Sequence, residues 1–345
     1  MPESTPYRAP WWLPGSHLQT IYPYLALRSR APAYRRERIE TRDGDFIDFD
    51  WIGRDADAPT VVLFHGLEGC SRSHYARHLM HAVAARGWRG VVAHFRGCSG
   101  EPNRLLRAYH SGDASEIDWM LRLIASRTNN IVFAVGVSLG GNALLKWLAR
   151  EQKDACFIVT AACAISAPID LMIAGNRLGQ GLNRFYGRHF LRTLKPKALE
   201  KLARYPDAVR ARQVRSASTL RAFDDAFTAP VHGFKSVDDY WSTASTKAEL
   251  GKIAVPTLIV HARNDPFLPG QFLPEQVLRE SGEQNPSIEC EFPDQGGHVG
   301  FVSGAFPGNL SWLPKRVLGY LGKHLPQKPP SGNVQPEPGQ QQQNT

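Results

Sequence analysis

The feature that most narrows the fold of this chain is the junction inside IVFAVGVSLGGNALLKWLA, residues 131–149. From Ile131 to Val137 the residues leave no room for polar alternation, which suits a strand buried on both faces of a parallel sheet. Leu144, Leu145 and Leu148 then recur at helical spacing, with Ala143 and Ala149 as good helix formers. Ser138 sits at the joint between Gly136 and Gly140. A strand that runs into a helix through so short a turn needs small residues, because the two backbones must pass close to each other.

The same alternation extends along the chain. TVVLFHG, GVVAHF, IVFAVGV and CFIVTAACAISA read as strands, with helices near Tyr75–Ala85 and Ala114–Ala125 between them. PTLIVHARND and SIECEFPDQGGH resume the pattern, and a last helix falls near Leu313–Leu325. RRERIETRDG and DFIDFDWIG, separated by Asp43-Gly44, read as an antiparallel hairpin on one edge. This rhythm predicts an α/β fold: a mostly parallel eight-stranded sheet with helices on both faces. Residues 34–325 would form that domain, interrupted at about 168–250 by a strand-free helical insertion that would act as a lid. Residues 1–33 are expected to pack on it as an extension. Within them WWLPGSHLQTIYPYL either covers the sheet edge or the mouth of a site, or rests on lipid. The tail at 326–345, PQKPPSGNVQPEPGQQQQNT, is too poor in apolar residues to repay ordering and should be disordered.

Bulk properties exclude several roles. The net charge of +9 is spread along the chain in short clusters, and no nucleic-acid-binding motif accompanies it. Nucleic acid is therefore not an expected partner. The five cysteines form neither a zinc-type pairing nor a disulfide framework. No apolar run reaches the ~18 residues needed to span a bilayer, and the start lacks the layout of a secretion signal. The expectation is a cytoplasmic protein, with peripheral membrane contact left open.

Strand, Gly-Val-Ser-Leu-Gly, helix is the layout of a nucleophile elbow, in which a sharp turn lifts the serine above the sheet edge. A serine hydroxyl needs a base to accept its proton and a carboxylate to orient that base. His298 follows a strand and is preceded by Gly296 and Gly297, so its loop can bend inward. Asp265 lies just beyond the strand before it, where ligand-facing loops of such sheets sit. Asp294 and Asp170 are rival carboxylates. Acyl transfer also needs donors for an oxyanion: the amide of Leu139 after the serine, and that of Leu67 in His65-Gly66-Leu67-Glu68-Gly69. FRGCSGEPN, with Cys98 and Ser99, lacks the elbow frame and reads as a turn packed beside the site.

Taken together, PGSHLQTIYP, DGDFIDFDW, VLFHGLEG, GWRGVVAHFRGCSGEPNR, YHSGD, VGVSLGGN, FDDAFTAPVHGF, HARNDPF and GGHVGF resemble the YheT-like branch of the α/β-hydrolase superfamily. The likeness covers nearly the whole chain before the tail. It implies a triad of Ser138, Asp265 and His298 and hydrolysis of carboxylic esters, either acylglycerols or small esters, without a cofactor or metal. The expected partner is thus a small-molecule ester. A thioesterase or peptidase using the same triad, and a binding protein that keeps only the hydrolase shell, are the alternatives.

Overall fold

The structure, a computed structural model, describes residues 6–27, 29–128, 131–273 and 285–326. The expected disordered tail, apart from Pro326, lies outside the described residues. Eight strands form one sheet: β1 (Arg35–Glu40), β2 (Phe46–Ile52), β3 (Thr60–Phe64), β4 (Arg89–Ala93), β5 (Val132–Val137), β6 (Ala161–Ile165), β7 (Thr257–Val260) and β8 (Ile288–Glu291). Their order is β1-β2-β4-β3-β5-β6-β7-β8. Strands β3 to β8 are mutually parallel, whereas the β1–β2 hairpin is antiparallel and joins β4 antiparallel at one edge.

The central strands read as unbroken apolar runs because helices cover both faces. Along β3, Val62 and Phe64 join a core with helices α3 (Ala114–Ala125) and α4 (Leu139–Glu151), while Val61 and Leu63 join a second core. That second core contains the terminal helix (Trp312–Lys323, here α11) and α2 (His74–Ala85). Alternate residues of one strand thus feed opposite cores, and beyond Thr60 at its start β3 carries no polar side chain.

One expected strand is shorter than its sequence suggests. In CFIVTAACAISA only Ala161–Ile165 pairs in the sheet, because Gln152–Phe157 winds into a 3₁₀ turn that places Ala155 in the core and leaves Phe157 exposed. The chain direction reverses about β3, with β4 on one side and β5 on the other, so the carboxyl ends of β3 and β5 flank the crevice where such sheets bind ligands.

Before β1 stands helix α1 (Ser16–Ala26). Between β6 and β7 the chain builds α5 (Leu171–Leu178), α6 (Arg184–Arg204), α7 (Ala211–Ser216), α8 (Leu220–Phe223), α9 (Ala229–Val231) and α10 (Val237–Ala244). A π-helical turn, Asp224–Thr228, connects α8 to α9. Among the described residues no helix is long and apolar enough to cross a membrane.

Candidate active site

Ser138 occupies the turn between β5 and α4 with φ 52° and ψ −121°, a backbone conformation that is strained for any residue carrying a Cβ. The surroundings hold it there. Its amide donates to Ile165 O (2.8 Å), and its carbonyl accepts the first helical bond from Asn142 N (3.0 Å). A Cβ on Gly136 would lie 2.5 Å from Gly140 O, and one on Gly140 would lie 2.5 Å from the carbonyl oxygens of both Phe64 and His65. The glycines of the elbow are therefore required by close approach of α4 to the ends of β5 and β3.

The loops after β7 and β8 bring two further groups to this serine. His298 Nε2 is 2.9 Å from Ser138 Oγ, and His298 Nδ1 is 2.8 Å from Asp265 Oδ2. The carboxylate at Nδ1 selects the Nδ1–H tautomer and leaves the Nε2 lone pair facing the hydroxyl. Asp265 is buried, and its other oxygen accepts from Phe267 N at 2.8 Å. Burial alone would raise its carboxyl, but the adjacent His298 and His261 imidazoles outweigh that and hold it well below the usual carboxylate range. The structure gathers Ser138, Asp265 and His298 and leaves the rival carboxylates elsewhere. Asp294 is 93 % exposed beside Arg263, and Asp170 caps α5 through Ile173 N.

Leu67 and Leu139 line the same cavity as the serine. Neither amide has a hydrogen-bond partner among the described residues, although the flanking amides are engaged. Gly66 N donates to the Tyr75 hydroxyl and Glu68 N to the Tyr109 hydroxyl, each at 2.8 Å. His65 fixes this loop: Nδ1–H donates to Gly66 O (2.8 Å) and Nε2 accepts from Phe95 N (3.1 Å). Burial, reinforced by His94, pushes the His65 imidazole down to about 3, so it stays neutral and keeps that donor–acceptor pattern. Cys98 is no rival to Ser138, because burial raises its thiol to about 12.

Sequence reasoning missed four residues that hold the site. His261 Nε2 approaches Asp265 Oδ2 at 3.2 Å from the buried side. Gln19, fully buried on α1, accepts from Gly296 N and from Asn264 Nδ2, each at 2.9 Å. Asn264 Oδ1 in turn accepts from Gly297 N (3.0 Å), and Thr20 Oγ1 accepts from His298 N itself (2.9 Å). The histidine loop thus hangs from α1. The available signal was a polar Gln-Thr pair within an otherwise aromatic and apolar segment.

A cavity of about 150 Å³ opens over the serine, walled mainly by apolar side chains of the β6–β7 insertion, including Leu178, Phe190, Leu194, Phe223 and Phe227. Charged side chains also stand in its wall, Lys197 and Asp224 among them. Lys197 pairs with Glu68 at 2.9 Å, tying α6 to the loop after β3. Asp224 accepts from Thr228 Oγ1 (2.7 Å) and Trp241 Nε1 (2.9 Å), and burial pushes its carboxyl up to about 6.

Comparison with known proteins bears on the family and the fold. A family model described as the alpha/beta hydrolase fold matches residues 59–305. The chain is 42 % identical to the Escherichia coli K12 protein named "Putative esterase YheT" over 90 % of this chain and 92 % of that one. It is 29 % identical to mouse Phospholipase ABHD3 over 88 % of this chain and 75 % of that one. Among solved structures, the Pyrococcus furiosus esterase Pf2001 aligns with a TM-score of 0.54 at 17 % identity, covering 84 % of this chain and 92 % of that one; this likeness speaks to the fold alone. The chain belongs to the α/β-hydrolase fold family, within the branch that includes YheT.

Proposed function

We propose that this protein is a serine hydrolase that cleaves carboxylic esters, short-chain esters or acylglycerols, through an acyl-enzyme. The observation that carries the reading is the continuous hydrogen-bonded path Ser138–His298–Asp265 at the floor of an apolar cavity. The names of the relatives, an esterase and a phospholipase, support the substrate class.

In this mechanism Ser138 Oγ attacks the ester carbonyl carbon while His298 Nε2 takes its proton, and Asp265 stabilises the imidazolium that forms. The oxyanion of the tetrahedral intermediate accepts from the amides of Leu67 and Leu139; one such donor is typically worth ~3 kcal/mol of barrier. His298 then protonates the departing alcohol, leaving the acyl group on Ser138. Water, deprotonated by His298, attacks the acyl carbon, and collapse returns the serine hydroxyl and releases the acid. The insertion walls the cavity and selects the acyl chain. A cytoplasmic setting accompanies this reading, supported by an odd set of five cysteines without a disulfide framework.

Turnover of p-nitrophenyl esters of increasing acyl length tests the proposal. The expected profile is hydrolysis that peaks at one chain length and disappears in Ser138→Ala. A flat, inactive profile would contradict ester hydrolysis and turn attention to thioesters or peptides.

A further inference from the structure

Exposed apolar side chains are unevenly distributed over this molecule. Of the eight large hydrophobic residues exposed among the described residues, only Phe157 stands apart. Trp11, Leu18, Tyr24 and Leu25 lie on the N-terminal segment, Leu182 in the turn leading into α6, Phe185 at the start of α6, and Phe306 in the loop before α11. These three stretches adjoin. His17 of α1 stacks on Tyr186 of α6 with Nδ1 3.1 Å from its hydroxyl, and the rings of Tyr24 and His189 are 6.1 Å apart. Trp12 meets Phe306 edge-on at 5.3 Å, and the Tyr22 hydroxyl donates to Pro307 O at 2.9 Å. The exposed residues thus gather on one side of the molecule, as interaction surfaces do.

Charge is equally one-sided there. Residues 4–36 and 171–199 contain no aspartate or glutamate. On α6, Arg184, Arg188 and Arg192 recur every four residues, so they share a helical face. All three are exposed, and none has an ion-pair partner among the described residues. Elsewhere arginines are commonly paired, as Arg36, Arg38, Arg96 and Arg122 are. An apolar patch bordered by unpaired guanidinium groups complements a surface that is greasy inside and negative at its rim. An anionic lipid bilayer has that profile, with aromatic rings favoured at its interface.

The geometry points to α1, the start of α6 and the Phe306 loop as a docking surface for anionic membranes. It lies close to the chemistry: Tyr186, between the two helices, packs on Phe267 with ring centroids 4.9 Å apart, and Phe267 packs on His298 at 4.2 Å. Bilayer contact would therefore present lipid beside the cavity rather than on the far side of the sheet. Docking does not depend on the hydrolytic reading, because it can be measured with Ser138→Ala.

The experiment is flotation of the full-length protein with vesicles of phosphatidylcholine alone or with one part in three phosphatidylglycerol, at low and high salt. The protein is expected to float with the anionic vesicles at low salt and to be released by high salt. Combining Arg184→Gln, Arg188→Gln and Arg192→Gln should weaken partitioning roughly 100-fold. Leu182→Ser with Phe185→Ser should weaken it roughly tenfold or more. Both variants should hydrolyse a soluble short-chain ester as the parent does. Arg42→Gln with Arg54→Gln, on the β1–β2 edge, should float normally. The proposal is overturned by absence of binding to anionic vesicles, by equal binding to neutral ones, or by an equal loss in the edge control. It is also overturned if Phe185→Ser converts a dimer into a monomer while leaving flotation intact, which would make this face a contact between copies of the chain.

Discussion

Two helices of this protein are held in contrasting ways. In α4, which begins at the elbow, ten of thirteen residues are buried, and the helix is wedged between the sheet and α3. In α6, which covers the cavity, only Tyr186, Gly187, Leu191, Ala198, Lys201 and Leu202 are buried out of twenty-one residues. Besides apolar packing of Leu191, Ala198 and Leu202 on the other helices of the insertion, polar contacts tie α6 to the loops below: Lys197 on Glu68, and Lys201, whose ammonium donates to Asn103 Oδ1 and to the carbonyls of Leu105 (2.6 Å) and Arg107 (3.2 Å). Burial pushes that lysine down to about 8, so anchoring α6 works against the charge it uses. The contrast separates two tasks. The elbow is held by close backbone packing with almost no tolerance, while the cover is packed more sparsely and leaves most of its surface exposed.

The largest effect should come from the rigid side of this comparison. Asp265→Asn keeps the shape but removes the charge that fixes the His298 tautomer, and kcat for a p-nitrophenyl ester should fall roughly 10³–10⁴-fold with the fold intact. Retained turnover would break the link between elbow packing and catalysis.

Next, Gly140→Ala places a methyl group against two carbonyl oxygens that cannot move apart without opening the sheet. Chemical denaturation should show a loss of about 2–4 kcal/mol. Arg192→Ala on the exposed face of α6 should change stability by less than about 0.5 kcal/mol. Similar costs at the two positions would remove the distinction between the helices.

Asp224 sharpens the picture of the cover through pH. Burial raises its carboxyl from the ordinary 3.8 to about 6, so the folded state holds the proton more tightly than the unfolded chain. The stability this proton contributes is fully present below about pH 4 and is lost as pH rises through 6, up to roughly 3 kcal/mol by linkage. Asp224→Asn can keep partners in Thr228 and Trp241 without the charge. Melting temperatures from pH 4 to pH 8 should therefore decline less with pH in this variant than in the parent; parallel curves would mean that Asp224 is not held neutral by the fold.

The smallest effect concerns the N-terminal support of the histidine loop. Thr20→Val preserves shape while removing the oxygen that accepts from His298 N, and kcat should drop roughly 10–100-fold with KM nearly unchanged. Thr20→Ser should restore it. Equal losses in both variants would reduce α1 to general packing.

Much of the rigid region was legible in the sequence, and little of the attached one. Ser138 announced itself because strand, glycines and helix are consecutive, so local pattern and tertiary role coincide. Asp265 and His298 were legible because each follows a strand at the ligand-facing edge. Gln19 and Thr20 were not: their partners at Gly296 and His298 lie more than 270 residues away, and no periodicity encodes such a contact. The buried positions of α6 were equally hidden, since Tyr186 and Lys201 would be assigned to a solvated face by composition, and only the loop carbonyls beneath Lys201 explain its burial. CFIVT read as strand because apolar runs do not distinguish a strand from the packed turn that precedes one.

Labelling with a fluorophosphonate, followed by mapping of the modified peptide, tests the central claim most directly. On the proposed function His298 activates the hydroxyl of Ser138, and folded protein should take up one adduct, on Ser138, with labelling lost in Ser138→Ala and greatly slowed in His298→Ala. Folded protein that stays unlabelled, or that labels equally well without Ser138, would contradict the account.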